Sequence, residues 1–510
     1  MPDPMRLLLT AAVLTALLAA CGGGGAAASS DAPPALSPVG SDTVATGPAT
    51  ALPGSAAPAT AAPATASPTT ASRSLTDTAP PATAAQPADA VAPLQPPPLP
   101  RSGLAAADLA VLYARGDATS EAIARAYQRA RGIPEAQVIG VAIATDRDAI
   151  AAAEFDAVKA ELDARLPAQV QATLLTWTRP SRVQGACSMG ITSALAFGYS
   201  TARCGACSRT LASDYYDSDS TRPWTEHRLR PSMMLGAATL EAAQALIARG
   251  LAADGSAPAG TGWLVRTTDA ARSVRHTDFA ALPAAWTEPG GVALRYLDAS
   301  ADAGAQLVTG QPDLLFYFTG LARVGQLAGN RFLPGAAADH LTSFAGLLPG
   351  ANGQMPVTDW LDAGATASYG TVEEPCNFSE KFPRASVLVE HYLRGATLIE
   401  AYWKSVAWPG QGLFVGEPLA RPWASTPQAT LEDGALVVRS RALRRHASYR
   451  VDWLPAGSSR WQTLATLTAG QPRPLTWRVP LPVSSAGGRL RWVGPCPASP
   501  LQTCVLGESA

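Results

Sequence analysis

The sequence is short of the residues that most often announce a chemistry. It has five histidines, and none stands at a spacing that would grip a metal ion. Neither sign of charge is in excess. The formal net charge is −1, with no basic patch or tail, which argues against nucleic acid as a partner. After the N-terminal segment no apolar run reaches the roughly 18 residues of a membrane span. From Gly22 to Arg101 there is no aromatic residue, no Ile and no Met. A stretch of Ala, Pro, Thr, Ser and Gly buries too little apolar area to offset the entropy of ordering. The expectation for residues 21–101 is therefore a disordered tether, with polyproline character near Leu94 to Pro100. A coil of that length spans about 50 Å.

What the N-terminus does contain is an export signal. Arg6 precedes an apolar run from Leu7 to Ala20, too short and Ala-rich for a span of about 20 residues. The run ends in Leu18-Ala19-Ala20-Cys21, which looks like a lipobox. Small residues fit the peptidase groove, and the Cys21 thiolate is the nucleophile that accepts lipid. More than one acyl chain, at about 0.8 kcal/mol per buried methylene, makes a stable anchor. Residues 1–20 are thus expected to be removed, leaving a lipoprotein held to the membrane through Cys21. An ordinary signal peptide ending near a cysteine is the alternative. Gly22, where an aspartate would resemble an inner-membrane retention signal, favours the outer membrane.

The remainder divides by pattern. Over 102–422, apolar strands alternate with helices: Val138 to Ile143, Val170 to Trp177, Trp263 to Arg266, Val292 to Leu297, Leu314 to Phe318, Ala365 to Val372 and Leu413 to Val415. Continuous apolar strands between helices predict an α/β domain with a mainly parallel sheet covered on both faces. Ser120 is the expected cap of a helix that stops at Gly132, and a long helix is expected from Ala385 to Val406. Over 423–510, short alternating runs separated by Gly, Pro and Ser predict a small β-sandwich of immunoglobulin or fibronectin type.

Four stretches carry a family resemblance. IARAYQRARGIP ends at Pro134, CSMGITSALAFGY begins at Cys187, and GATASYGTVEEPCNFSEKFP covers Gly364 to Pro383. GATLIEAYWKSV and GLFVGEPLARP fall between Tyr392 and Pro422. Together they resemble an uncharacterised family of exported bacterial proteins found alongside exosortase-type sorting systems. The resemblance implies an envelope or exopolysaccharide context and no known activity. The chain lacks the Pro-Glu-Pro tail of exosortase substrates, so it would be a companion of that system. FVGEPLARP, closing an α/β domain before a sandwich, is also similar to the corresponding end of gingipain-like, caspase-like cysteine peptidases. Those carry His and Cys at the ends of two neighbouring strands. Here the matching positions read Thr319-Gly320 and Ala338-Asp339-His340-Leu341-Thr342-Ser343, with neither a His-Gly pair nor a cysteine.

Function on a parallel sheet sits beyond the carboxyl ends of its strands. Two constellations fall there. Glu373-Glu374-Pro375-Cys376 offers carboxylates and a thiol, with His340 or His391 as a base. Asp339-His340 is the minimum for an oriented general base. Cys376, His340, Glu374 and Asp339 are thus the catalytic candidates. Against them, and favoured outside the cytoplasm, stands Cys376 as half of a disulfide, with Glu373 as a loop brace and His340 as a surface or core residue. Cys204-Gly-Ala-Cys207 admits zinc, redox or disulfide chemistry, and outside the cytoplasm disulfides are the default. After Cys21, six cysteines remain, an even number. Cys496 and Cys504 are expected to pair. Cys187, Cys204, Cys207 and Cys376 then make two bridges of open connectivity. The acidic loop Ser213 to Asp219 admits calcium, though its pattern excludes an EF-hand. Tyr215, Tyr216 and Trp224 offer faces to a sugar or peptide. No cofactor and no resident metal is implied. The expected partners are the membrane, through the lipid, and a protein or polysaccharide. The leading expectation is a non-catalytic binding or accessory lipoprotein. A gingipain-like cysteine peptidase or transpeptidase is the rival, and a carbohydrate-active enzyme using Glu373 or Glu374 a third.

Overall fold

The computed structural model describes residues 93–287, 291–483 and 485–510. The expected export signal, Cys21 and most of the expected tether lie outside the described residues. Among the described residues no helix is long and apolar enough to cross a membrane.

The first half of the α/β region runs β1 (Leu109–Ala114), α1 (Ala118–Arg131), β2 (Val138–Val141), β3 (Ala149–Ala151), α2 (Ala152–Arg165), β4 (Ala172–Leu175), β5 (Arg182–Gln184), β6 (Ser188–Gly190), α3 (Ile191–Phe197), α4 (Pro223–His227), β7 (Ser232–Met234) and α5 (Leu240–Ala253). The second half runs β8 (Gly260–Arg266), α6 (His276–Ala285), β9 (Val292–Asp298), β10 (Leu314–Thr319), β11 (Phe332–His340), α7 (Thr358–Asp362), β12 (Ala367–Thr371), α8 (Ala385–Leu393), α9 (Leu398–Ser405) and β13 (Gly412–Gly416).

Ten of these strands form one sheet, in the order β2-β1-β4-β7-β13-β12-β11-β10-β8-β9. The pairs from β2 to β7 and from β12 to β9 are parallel, and β12 runs antiparallel to β13. β13 reaches β7 through the single pair Val415–Met234. Every residue of β10 is buried, as a strand covered on both faces requires. Around β10 and β11 one face packs Phe316, Phe318 and Ala337 into the main core. The other packs Tyr317 and Ala338 against Trp360 of α7. Leu348 N–H bonds Ser181 Oγ, and Ser188 N–H bonds Glu373. These loops, which follow β11, β4, β5 and β12, put the carboxyl ends of both halves on one rim.

Two helix expectations differ in detail. Asp117, not Ser120, caps α1, accepting from Thr119 and Ser120 N–H at 3.0 Å each. Ser120 lies inside the first turn, and its hydroxyl accepts from Ala114 N–H. The helix does end on Gly132, at φ 66°, a left-handed conformation that suits glycine. The stretch 385–406 is two helices. Gly395, at φ 93°, breaks it, and Thr397 with Glu400 restarts it through a capping box.

Two family-like stretches meet at the opposite, amino-end rim. Tyr127 Oη donates to Glu417 at 2.6 Å, and Arg131 donates to both Glu417 oxygens, at 3.0 and 2.6 Å. Arg131 also pairs with Asp254. IARAYQRARGIP and FVGEPLARP are therefore joined through a buried lock.

The C-terminal region has two antiparallel sheets. One is β14 (Gln428–Glu432), β15 (Ala435–Ser440) and β18 (Leu475–Pro480). The other orders β17 (Gln462–Thr468), β16 (Ser448–Leu454), β19 (Arg489–Cys496) and β20 (Ser499–Glu508). Leu436, Val438 and Val479 from one and Val451, Leu490 and Trp492 from the other share one core. Leu94 and Leu99, which composition places in the tether, pack against this core, so the folded part begins before residue 101.

Candidate functional site

The carboxyl rim of β8, β10, β11 and β12 brings together Arg275, Thr319 and Asp339, all buried. Arg275 comes from the loop after β8. Its Nη2 donates to the Thr319 carbonyl at 2.7 Å, and its Nη1 to the Pro383 carbonyl at 3.0 Å. The same Nη2 lies 2.7 Å from Asp339 Oδ1. Arg275 Nε, Thr319 Oγ1 and both Asp339 oxygens have no aligned hydrogen-bond partner. Burial pushes the Asp339 pKa up, against the pull of Arg275.

Asp339 and His340 do not form the pair expected from their adjacency. Successive strand residues point to opposite faces. Asp339 turns toward Arg275, and His340 toward Trp360. Trp360 Nε1–H donates to His340 Nδ1 at 2.9 Å, and His340 Nε2 faces the Met355 carbonyl at 3.2 Å. That pattern requires a neutral ring protonated on Nε2. Burial lowers its pKa to about 3. His340 is a fully engaged core histidine with no lone pair left for a substrate.

The other constellation is also committed to structure. Glu373 accepts from Ser188 N–H at 3.1 Å, Gly205 N–H at 3.2 Å, Ala206 N–H at 3.0 Å and Gln411 Nε2–H at 3.2 Å. It braces three loops. Glu374 accepts from Cys376 N–H at 2.8 Å. Cys376 is disulfide-bonded to Cys207, so its sulfur offers no thiolate. Cys187 pairs with Cys204, and Cys496 with Cys504. The two cysteines of Cys204-Gly-Ala-Cys207 therefore bond elsewhere, not to each other. Among the described residues one His/Cys/Asp/Glu group has metal-ligand spacing, Cys207, Glu374 and Cys376. It is a disulfide beside a carboxylate, which is not a zinc set.

The acidic loop meets arginine. Arg444, between β15 and β16, contacts Asp217 at 3.1 Å and Asp219 at 2.9 Å. Arg394 contacts Asp219 at 2.6 Å, and His391 contacts Asp217 at 3.0 Å. Burial works against charge on Asp217, but His391 and Arg444 prevail and hold it at about 2. Asp219 is held well below the carboxylate range, Arg394 and Arg444 overcoming its burial. These carboxylates stitch the sandwich to the α/β domain. His391 is spent there, 3% exposed, on its contact with Asp217. The three aromatics also separate. Tyr215 is buried, Trp224 is covered by Arg230 at 3.5 Å, and Tyr216 lines a cleft.

That cleft, of about 490 Å³, opens on the carboxyl rim over Arg275. Tyr216 from one loop and Ser379, Glu380, Phe382 and Arg384 from another line it. Arg384 is paired with Asp278 at 3.0 Å. Positive and negative groups balance, and apolar lining comes from Val274, Ala281 and Ala407. Such a surface suits a ligand without strong net charge. Arg275 was the residue that sequence reading missed. It is a lone loop arginine, and nothing local separates it from Arg272.

No protein-family model, no curated protein and no solved structure matches this chain.

Proposed function

We propose that this is an exported lipoprotein, anchored through Cys21, whose caspase-like α/β domain is a catalytically silent binding or accessory module of the cell envelope. In this reading it serves a surface-protein or exopolysaccharide pathway of the exosortase-associated kind. The immunoglobulin- or fibronectin-like sandwich is docked against the domain, and the carboxyl-rim cleft is the binding surface.

One observation carries the reading. At the ends of the neighbouring strands β10 and β11 stand Thr319, Asp339 and His340, each buried, with a guanidinium where a nucleophile and its base would work. A nucleophile needs an exposed, activated atom within reach of a base. The disulfide at Cys376 removes the specific support for a peptidase or transpeptidase. Glu373 and Glu374 are adjacent and engaged with backbone, which is not the opposed pair a glycosidase uses.

The test is to incubate the full chain with envelope peptides and surface polysaccharide and to follow both cleavage and binding. Binding without turnover, weakened in R384E, supports the reading. Turnover abolished in C376A contradicts it.

A further inference from the structure

The two loops that wall the cleft are joined covalently. Cys207 lies in the loop that carries Tyr216, and Cys376 in the loop that carries Ser379 to Arg384. The three disulfides differ in setting. Cys187 and Cys204 are both buried, 7% and 3% exposed. Cys496–Cys504 closes a hairpin over a sequence separation of 8. Cys207–Cys376 spans a separation of 169, and Cys207 is exposed. Its surroundings are polar and charged. The Glu374 carboxylate lies within 4.8 Å of both sulfurs. Lys381, itself buried, donates its ammonium to the carbonyl of Ala206, beside Cys207.

We propose that Cys207–Cys376 is a thiol–disulfide exchange site, at which an external dithiol unties the two walls of the cleft. One thiolate of the dithiol attacks Cys207 Sγ. The S–S bond breaks, and Cys376 leaves as a thiolate, then takes a proton from solvent or from Lys381. The second thiol of the dithiol, once deprotonated, attacks the mixed disulfide and releases Cys207 as a thiolate. Two electrons pass from the dithiol, which ends as its own disulfide. Lys381 titrates near the working range, since burial lowers its pKa to about 8, with Glu373 and Glu374 acting the other way. Glu374 repels an incoming thiolate and so slows the first step. After reduction no covalent bond joins the two walls, and the 374–384 wall keeps noncovalent ties such as Lys381 to the Ala206 carbonyl, Arg275 to the Pro383 carbonyl and Arg384 to Asp278. The exchange does not depend on what the cleft binds, so its failure leaves the proposed function standing.

The experiment uses the oxidised full chain under native conditions. Dithiothreitol is added, samples are quenched with N-ethylmaleimide at intervals, and each cysteine is mapped. The expected result is that Cys207 and Cys376 are labelled about tenfold or more faster than Cys187, Cys204, Cys496 and Cys504. Hydrogen exchange then rises in 205–216 and 374–384 and stays unchanged in β10 and β11. E374Q reduces roughly two- to threefold faster at low salt, and high salt erases the difference. Equal rates for all three disulfides, or Cys496–Cys504 reacting first, overturn the proposal. So does loss of protection throughout the sheet when Cys207 is labelled, because that places reduction after unfolding.

Discussion

The two rims of the ten-stranded sheet use the same chemistry to opposite ends. At the amino rim, Glu417 and Tyr127 are buried, the Arg131 side chain is nearly so, Asp254 caps the group from the surface, and each Glu417 oxygen has a donor. At the carboxyl rim, Arg275 and Asp339 are as deeply buried, yet Arg275 Nε and the carboxylate lack aligned partners. A satisfied buried pair locks a fold, whereas an unsatisfied one carries cost with little return. The unsatisfied pair lies at the carboxyl ends of the strands, the end at which open α/β sheets in general take their ligands.

The contrast makes graded predictions. The largest is an acid effect on the carboxyl rim. His340 is buried and neutral, with a folded pKa of about 3 against an ordinary value near 6.5. A histidine depressed in this way favours the folded state above pH 6.5 and loses that advantage as pH falls toward 3. Urea unfolding between those limits should show a loss on the order of 4 kcal/mol that H340Q removes. An unchanged pH profile in H340Q would break the assignment. At the amino rim, E417A leaves the buried Arg131 with only the exposed Asp254 as a partner and should cost about 3 kcal/mol in the same assay at pH 7. A cost under about 1 kcal/mol would erase the contrast between the rims.

Smaller effects sharpen it. Replacing both members of the carboxyl pair, in R275M/D339L, should leave stability within roughly 1 kcal/mol of the parent or raise it. A loss as large as that of E417A would mean the pair is as well satisfied as the amino-rim lock. Two carboxylates should also differ in sign. Asp339 has a raised pKa, so its contribution declines as pH rises through that value, and D339N should flatten the decline. Asp217 has a lowered pKa, so its contribution is present above the unfolded pKa and disappears as pH falls through about 2. Asp217 is 40% exposed, which makes this the smallest effect, read as the acid midpoint of D217N against the parent.

Much of the architecture is legible in the residues. Alternating runs such as Tyr449 to Trp453 mark β16, and the unbroken Leu314 to Phe318 marks β10. β11 escapes notice because Gly335 to Ala338 is built of small residues with no apolar bulk. Without β11 the opposed faces of Asp339 and His340 are invisible, and the two read as a pair. The break in 385–406 was signalled by Gly395 and by Thr397 with Glu400 three residues on. The partners of Cys204 and Cys207 lie 17 and 169 residues away, a matter of tertiary geometry that spacing does not encode.

The most direct measurement is alkylation of the full chain without reduction, followed by peptide mapping. The account predicts that Cys376 is unmodified and recovered linked to Cys207, with Cys187–Cys204 and Cys496–Cys504 intact. An alkylated Cys376 would contradict it, since a free thiol beyond β12 would restore the nucleophile that the binding reading denies.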